Sequence, residues 1–265
     1  MTAEIVERVR RSSRYRDVDP ALVGRLAAEE LPRARNADDA VKRVKRRLHQ
    51  VVGAFRGPSS LADLGPAWHG DLRQPSFRAA CEGVLRSHAS TRERLPYLDR
   101  FYASVWEHTG VPGRLMDLGC GLNPAALPWM EVRDATYLAF DADARVLAAA
   151  EDFLTLVGQP HEARAGDLVT EVPSATADVA LLLKLVTTLD RQDPDAAGRA
   201  LRALNTRHAV VTFATRSLGG RADGREGAYR RRLDRLLAES GRVSVVAEAS
   251  IPNELVFVLT LDPHG

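Results

Sequence analysis

The 265-residue chain is 45% apolar and 27% charged, with a formal net charge of +2. That is core enough for one large domain, or for one domain with an accessory module. No run of eighteen apolar residues and no apolar leader segment is present, so neither a membrane-spanning helix nor a secretory signal is expected.

Cys81 and Cys120 have neither metal-ligand spacing nor the pattern of a disulfide framework, so a reducing cytoplasm is the expected location. The small net charge conceals a split. Residues 1–100 carry 20 Lys and Arg against 13 Asp and Glu, a balance of +7. Residues 101–265 carry 17 against 22, a balance of −5. A basic half joined to an acidic half suggests that the basic part meets a polyanion.

Residues 1–108 read as a helical module. Asp19 and Pro20 suit an N-cap and a first helical residue, and Leu22, Val23, Leu26 and Ala27 form the apolar stripe that follows. Asn36 opens a second helix, with Asp38 and Asp39 in its first turn. Val41, Val44, Leu48, Val51, Val52 and Phe55 recur there at helical period. Lys42, Arg43, Lys45, Arg46 and Arg47 interrupt this stripe as a dense basic run. A Gly/Pro/Ser stretch lies at Gly57–Ser60. A third helix is predicted from about Ser76 to His88, and a fourth through Leu95, Leu98, Phe101, Tyr102, Val105 and Trp106.

Residues 109–265 change rhythm to alternating strands and helices. Strands are predicted to end at Asp117 and Asp141, with a weak third at His161–Ala165. Further strands fall at Ala177–Leu183 and Ala209–Phe213, a helix at Tyr229–Leu237, and last strands at Val243–Ala247 and Leu255–Leu261. The alternation predicts a mostly parallel α/β sheet with right-handed crossovers, and the short final connection an antiparallel hairpin.

The most informative segment is Asp117-Leu118-Gly119-Cys120-Gly121, where an apolar strand runs into D-x-G-x-G. The glycines suit a tight strand-to-helix turn and leave no Cβ to obstruct a bound molecule. The acid at the strand end can take a charged amine. Asn123 and Pro124 are expected to cap and begin the next helix. This turn lacks the third glycine of a dinucleotide fingerprint and resembles motif I of the Rossmann-like S-adenosylmethionine-dependent methyltransferases. Asp141 follows about 20 residues later, the distance at which a carboxylate meets a ribose in such folds; as an alternative it caps the helix at Ala142–Leu156, a role Asp143 can also fill. Asp167, just past the third strand, suits an acceptor for an adenine amine, or a capped turn. Lys184 closes the fourth strand at the ligand crevice, and Arg216 and Arg221 flank a Gly-rich turn at the same sheet edge where phosphates can be held. The seven histidines form no metal pair at helical spacing, and there is no Gly-x-Ser-x-Gly elbow.

Four segments carry a more specific resemblance: residues 92–102 (RERLPYLDRFY), 117–124 (DLGCGLNP), 181–184 (LLLK) and 215–221 (TRSLGGR). Together they resemble the aminoglycoside-resistance 16S rRNA methyltransferases of the guanine-1405 N7 group. The departures from that pattern are Leu185–Leu189 after the fourth strand and Ala222–Glu226 after the fifth. The resemblance implies a class I methyltransferase fold with a seven-stranded sheet, and S-adenosylmethionine as methyl donor. It implies that Arg94 holds the cofactor carboxylate, and that Asp117, Gly119, Cys120 and Gly121 border its methionine part. Asp141 would take the ribose, Asp167 and Leu168 the adenine, and Lys184 and Arg221 the target nucleotide. The basic run at Lys42–Arg47, with Arg216, would dock on 16S rRNA in the 30S subunit, the protein acting as a monomer. The rival readings are a small-molecule methyltransferase, with the helical module as a lid, and a non-catalytic RNA-binding protein. The basic helix and double-arginine loop weigh against the first, and the intact glycine turn with both later acids against the second.

Overall fold

A computed structural model of the chain describes residues 1–52, 61–87, 89–215 and 226–262. The alternation after Arg114 folds into a seven-stranded sheet of β1 (Arg114–Leu118), β2 (Thr136–Asp141), β3 (His161–Ala165), β4 (Thr176–Leu183), β5 (Asn205–Ala214), β6 (Val243–Ile251) and β7 (Glu254–Leu261). Their order is β3-β2-β1-β4-β5-β7-β6. Strands β1 to β5 pair in parallel, and β7 inserts antiparallel between β5 and β6. The direction of winding reverses between β1 and β4, which opens a crevice at the carboxyl ends of those strands. Strand β3 is weak in sequence because it is an edge: its burial alternates, whereas β1 and β4 are mostly apolar and covered on both faces.

The helices are α1 (Thr2–Arg10), α2 (Pro20–Glu30), α3 (Ala37–Val51), α4 (Pro75–Ser87), α5 (Ala89–Arg94), α6 (Leu98–Thr109), α7 (Leu127–Met130), α8 (Ala144–Leu156), α9 (Val186–Asp190), α10 (Ala196–Ala203) and α11 (Glu226–Ser240). The caps read from sequence form: Asp19 accepts from the Leu22 N–H, and Asn36 from the Asp39 N–H. The predicted fourth helix starts later than expected, at Leu98. A 3-10 turn at Leu95–Tyr97 separates α5 from α6, with Pro96 removing a backbone donor. Helices α1, α5, α9 and α10 have no counterpart among the predicted elements; α9 has only five residues.

By packing, the helical stretch 1–108 divides in two. Ile5, Val9, Leu22, Val23, Leu26, Val44 and Leu48 close a separate core among α1–α3. Phe77, Cys81, Phe101, Tyr102 and Val105, from α4 and α6, instead share the core of one sheet face with Leu115, Tyr137 and Phe153. The apolar stripes of α4 and α6 cover the sheet, so these two helices pack as part of the sheet domain. The α1–α3 bundle is tied to the start of α8 by backbone bonds, Asp19 N–H to Ala142 C=O at 2.8 Å and Ala144 N–H to Asp17 C=O at 2.9 Å.

Candidate functional site

The turn after β1 holds Gly119 at φ 65° and Gly121 at φ 51°, the left-handed region open to glycine at little cost. A Cβ on Gly119 would also stand 3.1 Å from Leu185 Cδ1. Past β2, Asp141 turns back to this loop: its Oδ2 accepts the Gly121 N–H and its Oδ1 the Asp143 N–H, both at 2.9 Å. Asp143 caps α8 by accepting from Arg145 N–H, which leaves Asp141 free of that duty. Burial pushes the Asp141 carboxyl above its ordinary value, against the pull of those backbone N–H groups.

These residues open onto one cleft. Gly119, Gly121, Asp141, Asp167, Leu168 and Lys184 all line it, so six residues singled out in the sequence meet in one place. Its far wall comes from the N-terminal bundle, through Leu22, Val51 and Val52. The preferred sequence reading gave that bundle a docking role and kept a lid only for the rival reading, so neither its part as a wall of the cofactor cleft nor Arg25 was anticipated. The Arg25 guanidinium on α2 spans the seam to reach both oxygens of Asp167, at 2.6 and 3.2 Å. No pattern in the sequence distinguishes Arg25 from its neighbours.

Three residues expected at the cofactor lie behind the cleft. Asp117 is buried, and its Oδ2 accepts from Asn123 Nδ2 at 2.9 Å and from the Tyr137 hydroxyl at 2.5 Å. Burial pushes its carboxyl up to about 6. Asn123 is therefore not the expected helix cap; its amide bridges Asp117 and the Tyr102 hydroxyl, and the segment Asn123–Ala126 is a 3-10 turn. The Cys120 side chain packs in the core, where burial pushes its thiol well above the ordinary range; only its backbone belongs to the turn. Arg94 is also fully buried, its guanidinium forked onto Glu254 and 4.6 Å from the Phe101 ring centroid.

Lys184 is likewise committed. It sits at φ 58°, unusual for a residue with a Cβ, and its Nζ donates to Glu93 at 2.5 Å and to the Ser90 carbonyl at 3.1 Å. Glu254 Oε2 lies 3.7 Å away. Burial pushes the Glu254 carboxyl up, yet Arg94 and Lys184 together hold it below its usual range. Glu254 opens β7 as a single acid before seven residues without charge, which was a signal available in the sequence.

The basic run on α3 also divides. Arg43 pairs with Asp39 and Glu30, and Arg47 with Glu29 and Glu30. Lys42, Lys45 and Arg46 make no ion pair with the described residues. Arg216 and Arg221 lie outside the described residues, as do Phe55, Gly57–Ser60 and His88.

An apolar cleft lined by three aspartates, Asp141, Asp143 and Asp167, and entered over a glycine turn, fits an adenosyl compound: apolar walls for a purine, acids for hydroxyl and amine donors. Among the described residues no His, Cys, Asp and Glu cluster suited to a metal is present. The family model described as ribosomal RNA methyltransferase (FmrO) matches residues 11–258. The 16S rRNA (guanine(1405)-N(7))-methyltransferase of Micromonospora echinospora is 37% identical over 97% of this chain and 95% of its own. That of Frankia casuarinae is 39% identical over 96% and 91%. Among solved structures, the 16S rRNA methyltransferase RmtF in complex with S-adenosyl-L-homocysteine superposes with a TM-score of 0.84, at 33% identity over 98% of both chains. The 16S rRNA methylase RmtB gives 0.82 at 25% identity over 99% of both.

Proposed function

The chain belongs to the ribosomal RNA methyltransferase (FmrO) family, and on that premise we propose that it moves a methyl group from S-adenosylmethionine to N7 of guanine 1405 in 16S rRNA, conferring aminoglycoside resistance. The observation that carries this reading is the cleft itself, where the Gly119–Gly121 turn, Asp141 and Asp167 meet at the carboxyl ends of the parallel strands.

Asp141 is the acceptor for ribose hydroxyls, and Asp167 with Leu168 forms the adenine subsite. Gly119, Cys120 and Gly121 present backbone to the methionine part, with Asp117 behind them for its amine. Arg94 is the cation for its carboxylate and would exchange part of its Glu254 pairing to serve it. S-adenosylmethionine supplies, when bound, a methyl group activated on a sulfonium. Guanine N7 carries a lone pair and no proton, so the chain needs no general base. Its residues orient the two reactants and exclude water. The carboxylates around the cleft suit a reaction in which positive charge moves from sulfur to the purine. A stacked guanine must be exposed or flipped to reach the cleft.

Lys184 and Arg221 act on the target nucleotide. Lys42, Lys45, Arg46 and Arg216 contact the RNA backbone, joined by Arg43 and Arg47 where phosphate displaces their glutamates. The substrate form is the 30S subunit, met in the cytoplasm. None of the described helices is long and apolar enough to cross a membrane. A monomer is proposed because the large exposed apolar side chains among the described residues are Met1, Val111, Val245 and Val246, too few for a stable dimer face.

The test is transfer of labelled methyl from S-adenosylmethionine to purified 30S subunits, run beside a panel of small-molecule acceptors. Label in 16S rRNA and none in the panel is the expected result. Label in a small molecule, with the subunit unmodified, would overturn the assignment.

A further inference from the structure

The adenine subsite has a component that comes from outside the methyltransferase sheet. Arg25 sits on α2, 142 residues before Asp167, with its side chain 14% exposed. Each of its nitrogens is used. Nε donates to Asp167 Oδ2 at 2.6 Å, and Nη2 to Asp167 Oδ1 at 3.2 Å and Gln192 Oε1 at 2.7 Å. Nη1 donates to Glu29 Oε1 at 2.9 Å. The guanidinium is thus held by Glu29 and Gln192 as well as by Asp167. Gln192 and Asp167 both line the cleft, so the clamp stands at the cleft's edge.

The carboxylate of Asp167 is correspondingly fixed. Its Oδ1 accepts from Arg25 and from the Val169 N–H at 3.1 Å. Its Oδ2 accepts, among the described residues, from Arg25 Nε alone. A carboxylate offers about four lone-pair positions, so three are taken and the open one is on Oδ2. A planar two-bond fork fixes both the position and the plane of a carboxylate, which an ammonium cannot do.

We propose that Arg25 is a positioning residue of the adenine subsite: from across the bundle–sheet seam it fixes Asp167 so that the open Oδ2 lone pair accepts the exocyclic amine of a 6-aminopurine and rejects a 6-oxopurine. A 6-oxo base presents an oxygen, with no proton to give, to that same carboxylate. The inference rests on the reading of the cleft as an S-adenosylmethionine site, and it gives the N-terminal bundle a part in choosing the cofactor as well as in walling it.

The experiment is calorimetric binding of S-adenosylhomocysteine and its 6-oxo counterpart, S-inosylhomocysteine, to the full chain. The variants are Arg25→Lys, which keeps the charge and loses the fork, and Arg25→Gln, which loses the charge and keeps a single NH2 group. Thermal unfolding checks that each is folded. The wild type should prefer the adenosyl compound. Each Arg25 variant should bind it about tenfold more weakly, with the 6-oxo compound little changed, so that the preference falls by about the same factor. In an Asp167→Asn background, adding Arg25→Lys should cause little further loss, because the first residue acts through the second. Unchanged affinity in the Arg25 variants, or equal weakening of both ligands, would overturn the proposal and leave Arg25 as a clamp of the seam alone. A wild type that binds neither compound would overturn the cofactor reading itself, and this inference with it.

Discussion

The Asp141 carboxylate accepts the Gly121 N–H at 2.9 Å, so the acid after the second strand is bonded to the glycine turn after the first. Replacing it with alanine removes both this bond and the ribose acceptor. A hydrogen bond to a charged group contributes about 1.5–3 kcal/mol, so Asp141→Ala should bind S-adenosylhomocysteine at least about tenfold more weakly in a calorimeter. Wild-type affinity in this variant would remove Asp141 from the site.

Gly119 is needed for its backbone angle and for the space beside Leu185. Gly119→Ala should lower the unfolding temperature, since a left-handed residue with a Cβ costs about 1–2 kcal/mol. Pairing it with Leu185→Ala relieves the steric clash and leaves the backbone strain. The double variant should therefore still melt below the Leu185→Ala protein. Melting at the same temperature as Leu185→Ala would assign the glycine requirement to the clash.

Lys184 has a structural duty besides any role at the target, because its ammonium sits between Glu93 and Glu254. Lys184→Met should reduce methyl transfer and also lower thermal stability, by up to about 3 kcal/mol, as a buried carboxylate cluster loses a cation. Adding Glu93→Gln should recover part of the stability and none of the activity. A Lys184→Met protein that melts like the wild type would show that the ion pairs contribute nothing.

Asp117 gives the protein a pH dependence. Burial holds its carboxyl at about 6 in the folded chain, above the value of about 3.9 expected unfolded. The folded state therefore binds more protons between those two values, and stability from this group declines as pH rises through them. Asp117→Asn lacks the titration. Its melting temperature relative to wild type should rise between pH 5 and pH 7, and a difference that stays constant over that range would contradict the assignment.

On α3, Lys42, Lys45 and Arg46 make no close ion pair with described residues, although Lys42 lies near enough to Asp38 to act on its carboxyl. Changing all three to Gln should reduce the log–log salt slope of subunit binding by about 0.7–0.9 for each phosphate that is no longer neutralised. Arg43→Gln or Arg47→Gln should instead destabilise the bundle, since each leaves the buried Glu30 short of a partner. An unchanged slope in the triple variant would make this face a solvated one.

The parts of the site that were legible in the sequence are those set by local chain geometry. Gly119, Gly121, Asp141, Asp167 and Lys184 each end a strand or begin the turn after it, and parallel strands deliver their ends to one edge. The parallel sheet followed from alternation and the terminal antiparallel hairpin from a connection too short for a crossover, whereas the strand order and the insertion of β7 between β5 and β6 left no mark in the sequence. The unreadable parts are side-chain pairings made late in the fold. Arg25 meets Asp167 across 142 residues and Arg94 meets Glu254 across 160, and neither separation leaves a periodic trace. The same applies to Asn123, whose place after the glycine turn resembled a helix cap while its amide was drawn to the buried Asp117.

Methyl transfer to one guanine is read out by mapping the modified nucleotide. Purified 30S subunits would be incubated with the protein and S-adenosylmethionine, and the 16S rRNA cleaved chemically at N7-methylguanine and sequenced from the break. A single new cleavage at guanine 1405, lost in Asp141→Ala, is the expected result. A modification at another nucleotide, or 16S rRNA left unmodified under conditions where the protein binds S-adenosylmethionine, would contradict it.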